Sequence, residues 1–387
     1  MTTPLAWLNL THQKKRTLVA VFGVGFAALL IFMQLGFYGA AEGTATIVYD
    51  ELAFDIILLA PQYIDINRAG TFPLERAAQA RAVAGVESVA PVYVSFGAWR
   101  NPDAPPAYAY KPQTIMVMGF RPDDAVFRRD GKAIQAVIDQ HRSDLQKPGQ
   151  ALIDSRSHAE FGHFETGRSV EVGPQRIVIC GQFALGTGFG ANGLILVSDM
   201  TFFRIYPAFP QGRASMGLVR LAPGSHPDEV VRRLRAALPA DVDVKTRAQL
   251  GEHERAHWVE QTSLGLIFKL GVGVALIVGV VFVYQVIASD IANRLHEFAT
   301  LKAMGYGPVY LAGVVLQQAG LIAALGYVPG LVGTLALYAL AHSATGIPIT
   351  MTLARAVLVF GLTVAMCSIS GVLALRKVQS ADPADLF

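Results

Sequence analysis

The stretch RLHEFATLKAMG, residues 294–305, is a dense polar segment between two long apolar segments. Its charged and apolar side chains recur at helical spacing, which is typical of a helix lying along a membrane surface. Gly305, followed closely by a Gly-Pro pair, ends this helix. The sequence therefore predicts a surface helix within a loop over residues 289–310, between two membrane spans.

The composition extends this prediction to the whole chain. Hydrophobic residues make up 52% of its 387 residues and charged residues 16%, and the mean hydropathy is +0.41. These values lie on the apolar side of soluble proteins. About 20 helical residues cross a hydrocarbon core of about 30 Å. Four apolar runs have that length, at 18–40, 264–288, 311–340 and 356–375.

The first apolar run also has features of a cleaved signal peptide. Basic residues precede it and small residues follow it. Its length exceeds the apolar core of such peptides, which is about 7 to 15 residues. We therefore expect this run to remain as a membrane span.

The positions of Lys and Arg predict the orientation of the helices. Basic residues near helix ends are retained on the cytoplasmic side, and they cluster before the first span, between the second and third, and after the fourth. Residues 1–17 and 376–387 are therefore predicted to be cytoplasmic, and residues 41–263 and the short loop 341–355 periplasmic. The net charge of +3 is too small to indicate a nucleic-acid partner.

The exported segment alternates short apolar runs with amphipathic stretches, which predicts an α+β domain between the first and second spans. Residues 50–125 and 214–248 are expected to form one subdomain, into which a central β-rich section, about 148–210, inserts as a second. Residues 247–263 lack turn signals and predict a continuous helical stalk. Strands are predicted at 55–60, 88–96, 114–120, 169–172, 176–183, 194–198, 216–221 and 242–246. The fold class is therefore an α+β membrane protein with four transmembrane helices.

Residues 253–257, HERAH, match the zinc-binding pattern H-E-x-x-H. In that pattern two histidines one helical turn apart bind the metal and the glutamate acts as a general base. The apolar span follows within a few residues and leaves no obvious room for a third ligand or a cleft. We therefore favour a solvated face of the stalk, with a membrane zinc protease as a minor alternative.

Two nucleotide-binding patterns bear on whether the chain binds a cofactor. Residues 188–193, GFGANG, match G-x-G-x-x-G, but the following residues favour a strand where a dinucleotide site requires a helix. A tight hairpin or loop is the better interpretation. The chain contains no G-x-x-x-x-G-K-[ST], so it has no P-loop for ATP. Energy from ATP, if used, is expected to come from a partner.

Small residues on the spans predict close helix packing. Gly271, Ala275 and Gly279 recur every fourth residue on the second span, and Gly326 and Gly330 lie in the third. Small residues at this spacing allow helices to approach closely, either within one chain or between two copies. Charge within the spans is nearly absent, which argues against an ion-coupled carrier.

Several motifs along the chain resemble those of one family. The four-span layout, with its large exported domain, is similar to the permeases of the MacB/FtsX-like (type VII) ABC transporters, and most of all to the DevC-type permeases. The exported part agrees at 160–162 and in the loop 185–193. In the second half the matching runs are VYQ (283–285), TLKAMGY (300–306), LGYVPG (325–330) and ADPADLF (381–387).

This resemblance implies a permease subunit that is not itself an enzyme. It also implies these partners: two cytoplasmic ABC ATPase subunits that bind ATP and Mg²⁺, a second permease copy, a membrane-fusion adaptor and a TolC-like outer-membrane duct. The setting is the bacterial inner membrane, among its lipids. In the family, the helix matching 293–305 docks on the ATPase, which makes Arg294, Glu297, Lys302 and Gly305 the expected coupling residues.

The resemblance leaves the cargo open. Related exporters carry glycolipids, lipoproteins, peptides or drugs, and a lipid or glycolipid-like substrate is the expectation here. The alternative is an FtsX-like signalling scaffold, which uses ATP to act on a periplasmic partner and transports nothing. The large exported segment favours the transporter, because the exported loop of such scaffolds is typically smaller.

Overall fold

The computed structural model describes most of the chain, and its residues fall into two compact units. The membrane unit comprises Met1–Gly39, Ser263–Ala344 and Ile349–Phe387, and the sheet unit comprises Ala40–Thr262 with Thr345–Pro348. The described residues are 14–101, 112–186, 193–293, 304, 308–345 and 347–379.

Among the residues that the structure describes, four helices are long and apolar enough to cross a membrane. They span Lys14–Thr44, Ser263–Asn293, Pro308–Thr345 and Leu353–Gln379, and each contains one of the predicted apolar runs together with a few flanking residues. The α-helices of the described residues are α1 (Lys14–Thr44), α2 (Ile47–Glu51), α3 (Glu75–Arg81), α4 (Ile134–Gln140), α5 (Arg142–Leu145), α6 (Asp199–Ile205), α7 (Pro227–Ala237), α8 (Arg247–Ala256), α9 (Ser263–Asn293), α10 (Pro308–Thr345) and α11 (Leu353–Gln379).

The sheet unit is built on a nine-stranded sheet with the strand order β11-β1-β10-β3-β4-β8-β5-β7-β6. Strands β2 and β9 form a separate two-stranded pair. The strands are β1 (Ile56–Leu59), β2 (Phe72–Pro73), β3 (Val86–Arg100), β4 (Gln113–Phe120), β5 (Gln150–Asp154), β6 (Ser169–Val172), β7 (Gln175–Phe183), β8 (Leu194–Ser198), β9 (Arg213–Ala214), β10 (Met216–Leu221) and β11 (Asp243–Thr246).

The strand order places the two predicted subdomains in two halves of this one sheet. Strands β11, β1, β10, β3 and β4 come from the first and last parts of the exported segment, and β8, β5, β7 and β6 come from its central section. Parallel pairing of β4 with β8, with Met116 opposite Leu194, joins the halves. The strand order therefore shows the predicted insertion of the central section. Because β4 and β8 are hydrogen-bonded, however, the central section belongs to the same sheet and is not a separate subdomain.

The central section also closes on itself. At the end of β3, Trp99 lies opposite Val172 of β6, which connects the last strand of the sheet back to β3. Strands β3, β4, β8, β5, β7 and β6 thus form a hydrogen-bonded ring of six strands. The indole Nε1 of buried Trp99 donates to the Phe161 carbonyl at 3.0 Å. Closure removes an exposed edge from this half of the sheet.

Both faces of the sheet are buried. Along β4, Ile115 and Val117 belong to one hydrophobic cluster, while Met116 and Met118 belong to another. Successive side chains of a strand point to opposite faces, so an apolar run without alternation fits a strand covered on both sides. This explains why β1, β4 and β8 read as nearly continuous apolar segments.

The predicted continuous stalk over residues 247–263 is interrupted in the structure. Helix α8 begins with a capping box, in which the Thr246 hydroxyl accepts from the Gln249 amide at 3.2 Å. It continues as a π-helix over His257–Gln261, and Thr262 then adopts extended φ and ψ of −90° and 156°. The Thr262 hydroxyl donates to the Trp258 carbonyl at 2.5 Å. The Thr262 amide donates to the His257 carbonyl at 3.1 Å, and the extended conformation of Thr262 ends the π-helix before α9 begins.

Candidate functional site

The predicted ATPase-coupling residues lie between α9, which ends at Asn293, and α10, which begins at Pro308. Their positions, residues 294, 297, 302 and 305, fall outside the described residues. Between these two helices the structure describes only Met304, which is exposed. The coupling role of this loop therefore stays a prediction. The described residues show how the helices on either side of it, α9 and α10, pack.

Two glycines of α10 lie against α1. A Cβ atom placed on Gly330 would lie 2.7 Å from the Gly25 carbonyl oxygen, and one placed on Gly326 would lie 3.0 Å from the Val21 carbonyl oxygen. No side chain fits at that distance from a backbone atom without moving one helix. Glycine at these positions therefore allows the two helices to approach closely.

The small residues of α9 also face helices of the same chain. A Cβ atom on Gly271 would collide with Gln34 of α1, and one on Gly279 would collide with Met366 of α11. Ala275 is buried in a cluster shared with α1 and α11. The structure thus places these residues in packing within the membrane unit.

Hydrogen bonds add to the packing of the four helices. The Tyr338 hydroxyl of α10 donates to the Phe32 carbonyl of α1. The Tyr327 hydroxyl of α10 donates to the Ala356 carbonyl of α11 at 2.9 Å, and Ser370 of α11 donates to the Val280 carbonyl of α9 at 2.9 Å. A bundle that is connected in this way resists bending of a single helix.

The sheet unit contains a buried polar cluster formed by Tyr49, Tyr63, Asp65, Glu254 and His257, which we call the polar latch. The Tyr63 hydroxyl donates to Oε1 of Glu254, and the hydroxyls of Tyr49 and Tyr63 are hydrogen-bonded to each other. Nε2 of His257 lies 3.3 Å from Oδ2 of Asp65. The latch therefore attaches α8 and the π-helix to the loop that follows β1.

Of the H-E-x-x-H residues, Glu254 and His257 belong to this latch, and His253 contacts the loop after β1 beside it. His253 Nε2 lies 3.0 Å from the Ile64 carbonyl oxygen, and Glu254 is 0% exposed. A general base must reach a water molecule, which this buried Glu254 does not. Among the residues that the structure describes, no group of three or more His, Cys, Asp or Glu side chains is placed to hold a metal ion.

Burial determines the charge states in the latch. It raises the pKa of Glu254 to about 7, and the nearby Asp65 charge acts in the same direction, while the hydrogen bond from Tyr63 opposes it. Burial also raises the pKa values of Tyr49 and Tyr63 well above their ordinary value, so both remain neutral donors. The pKa of His253 is lowered by burial and by the Lys245 charge.

Comparison with protein families gives two matches that together cover most of the chain. Residues 17–237 match the MacB-like periplasmic core domain, and residues 270–383 match the FtsX-like permease C-terminal family. The chain belongs to the MacB/FtsX-like permeases. This membership confirms the predicted fold class, and it makes the chain a transmembrane component of an ABC transporter.

Two solved structures resemble parts of this permease. The periplasmic region of MacB from Actinobacillus actinomycetemcomitans is 8% identical, and the match covers 53% of this chain and 94% of that one with a TM-score of 0.35. The extracellular domain of YknZ, a noncanonic ABC-type transporter from Gram-positive bacteria, is 13% identical, with coverages of 50% and 100% and a TM-score of 0.34. No curated protein matches this permease significantly. The identification therefore rests on the two family matches.

Sequence reasoning missed most of the polar latch in this permease. It singled out His253, Glu254 and His257 for a zinc motif but gave no role to Tyr49, Tyr63 or Asp65. Tyr63 and Glu254 are 191 positions apart, and no local pattern connects them. No signal in the sequence marks Glu254 as buried, because Glu252 and Glu260 in the same segment are exposed.

Proposed function

We propose that this permease is the membrane subunit of an ATP-driven exporter and transmits motion from a cytoplasmic ATPase to its sheet unit. The observation that supports this most is that one chain matches both the MacB-like periplasmic core and the FtsX-like permease region. In this proposal the cytoplasmic loop contacts the motor, and the sheet unit receives the motion. ATP and Mg²⁺ bind to the partner ATPase in this proposal.

Motion enters at the loop over residues 289–310. Arg294, Glu297 and Lys302 orient the contact with the ATPase through their charges, and Gly305 ends the contact helix. Helices α9 and α10 leave this loop and are packed against α1 and α11 through glycine contacts and hydrogen bonds. A helix bundle packed at backbone distance shifts as a unit rather than deforming continuously.

The remaining assembly follows from the resemblance to DevC-type permeases. Both termini are cytoplasmic and the sheet unit is periplasmic, in agreement with the Lys and Arg distribution. Two permease copies pair, a membrane-fusion adaptor contacts the periplasmic side, and a TolC-like duct completes the path. The substrate is a lipid or a glycolipid-like molecule.

The test is co-expression with the ABC ATPase encoded beside this permease, followed by purification in lipid nanodiscs. Glu297→Lys should insert normally and lower the permease-dependent part of ATP turnover by about tenfold, because reversing the charge disrupts the electrostatic complementarity that orients the contact. Glu75→Lys, at an exposed site of the sheet unit, should retain wild-type turnover. An unchanged turnover in Glu297→Lys would remove this residue from the mechanism.

The FtsX-like match over residues 270–383 also fits a signalling scaffold. Such a scaffold needs the same coupling loop but carries no cargo. Lipid extraction from the purified complex identifies a candidate cargo, and an export assay for that lipid separates the two functions. Export of a co-purifying lipid that depends on Glu297 supports the exporter, whereas ATP turnover that depends on Glu297 without any transported lipid supports the scaffold.

A further inference from the structure

Glu254 is the most deeply buried acid of the polar latch. Its side chain is 0% exposed, and Oε1 accepts the hydrogen bond of Tyr63. Oε2 is buried without a hydrogen-bond partner among the described residues. An ionised carboxylate in this position would keep an unpaired oxygen away from water, and that is costly. The neutral acid fits the same position at much lower cost.

The groups around Glu254 compensate a negative charge only in part, because the Tyr63 hydrogen bond and the Lys245 charge favour the carboxylate whereas burial, the largest effect, and the Asp65 charge disfavour it. Tyr49 of α2 and Tyr63 of the following loop are neutral donors. Asp65 of the same loop repels a carboxylate, whereas Lys245 of β11 attracts it more weakly. None of the ion pairs among the described residues includes Glu254.

The two histidines on the same helical segment do not neutralise Glu254 either. His253 contacts the Ile64 carbonyl oxygen at 3.0 Å. His257 lies between Asp65 and Arg68, at 3.3 Å from each, and its Nδ1 lies 3.0 Å from Gln261. The histidines therefore have partners of their own.

The geometry points to Glu254 as a proton-binding site that controls the attachment of α8 to the loop after β1. With the proton bound, the helix stays docked through Tyr63. Loss of the proton creates a buried charge, and the helix relieves it by opening toward water. This inference depends neither on the exported substrate nor on the partner ATPase.

The direction of the pH dependence follows from the buried state of Glu254. Its pKa is raised from 4.5 to about 7 in the docked state. The contribution of Glu254 to docking is thus fully present below about pH 4.5 and is lost as the pH rises through about 7. If opening restores the ordinary pKa, the open fraction of α8 rises roughly tenfold between about pH 6 and about pH 8.

Hydrogen exchange on the full chain in lipid nanodiscs tests this inference without nucleotide or ATPase. Protection of the amides in residues 247–261 is compared at pH 6 and pH 8 after correction for the intrinsic exchange rate. The wild type should lose roughly tenfold protection at the higher pH. Glu254→Gln keeps the shape and removes the charge change, so its protection should be the same at both values. Glu252→Gln, an exposed neighbour on the same helix, should behave as the wild type.

A second variant covers the case that Glu254→Gln does not fold. The hydrogen bond from Tyr63 lowers the pKa of Glu254, so Tyr63→Phe should move the midpoint of the protection loss to higher pH. Wild-type protection that is independent of pH would overturn the inference. So would a pH response that persists in Glu254→Gln, which would assign it to another group, or a midpoint that Tyr63→Phe does not move.

Discussion

Arg247 shows how one side chain fixes the start of a helix. Its guanidinium donates to the carbonyl oxygens of Tyr49, Leu52 and Phe54 at 2.8, 2.6 and 2.8 Å, and it lies 4.0 Å from the centre of the Phe54 ring. Burial lowers its pKa somewhat, but a guanidinium stays charged in proteins. From the first residue of α8, the planar group thus bonds one carbonyl in the last turn of α2 and two in the segment that follows it.

Replacing this side chain by lysine should destabilise the sheet unit. Arg247→Lys retains the charge but not the fork of donors, which leaves carbonyl groups without partners. We expect a loss of about 1 to 3 kcal/mol, measured as a lower thermal midpoint of the full chain in nanodiscs. The control is Arg220→Lys at an exposed position, and equal shifts in both variants would contradict the role of Arg247.

Gly330 provides a second test at the residue scale, of the close packing between α1 and α10. Gly330→Ala places a Cβ 2.7 Å from the Gly25 carbonyl oxygen, so α1 and α10 must move apart, at a cost of about 1 to 3 kcal/mol. Gly313→Ala on the same helix meets no atom within 4 Å and should be neutral. The thermal midpoint of the full chain measures both, and a tolerated alanine at 330 would show that the helices do not pack at this distance.

At the scale of elements, local sequence patterns predicted the bounds of several strands correctly. The bounds of β6, β8 and β10 agree with the predicted strands 169–172, 194–198 and 216–221, because short apolar runs between turn residues are a local signal. The interruption at Thr262 was missed because residues 257–262 contain no Gly or Pro to mark it, and one residue in an extended conformation ends the π-helix there. The joining of the two sheet halves was also missed, since strand order depends on pairing between distant segments.

Closure of the six-stranded ring should determine how strongly the amides of β6 and β7 are protected from hydrogen exchange. Trp99→Ala removes the buried indole where β3 meets β6, at a cost of about 3 to 5 kcal/mol. Hydrogen exchange should accelerate in β6 and β7, while β11, at the far end of the sheet, keeps its protection. Met200→Ala, at a side chain that is 52% exposed, is the control. Equal loss of protection in β6 and β11 would show that the ring is not a separate cooperative element.

At the scale of the molecule, hydropathy alone predicted four spans and one large domain between the first and second. This layout depends on the length and charge of long segments, so it can be predicted without assigning any single strand. The coupling residues come from family resemblance, and they lie outside the described residues. Whether this loop transmits motion to the sheet unit therefore has to be measured.

The most direct measurement is the distance between spin labels on the sheet units of two permease copies, in a nanodisc complex with the ATPase. Met200→Cys provides an exposed labelling site, while both native cysteines are buried. With the wild-type loop, ATP should change the distance between the two labels. With Glu297→Lys in the loop, ATP should leave that distance unchanged. A shift that persists with Glu297→Lys, or no shift in a complex that hydrolyses ATP, would contradict transmission through this loop.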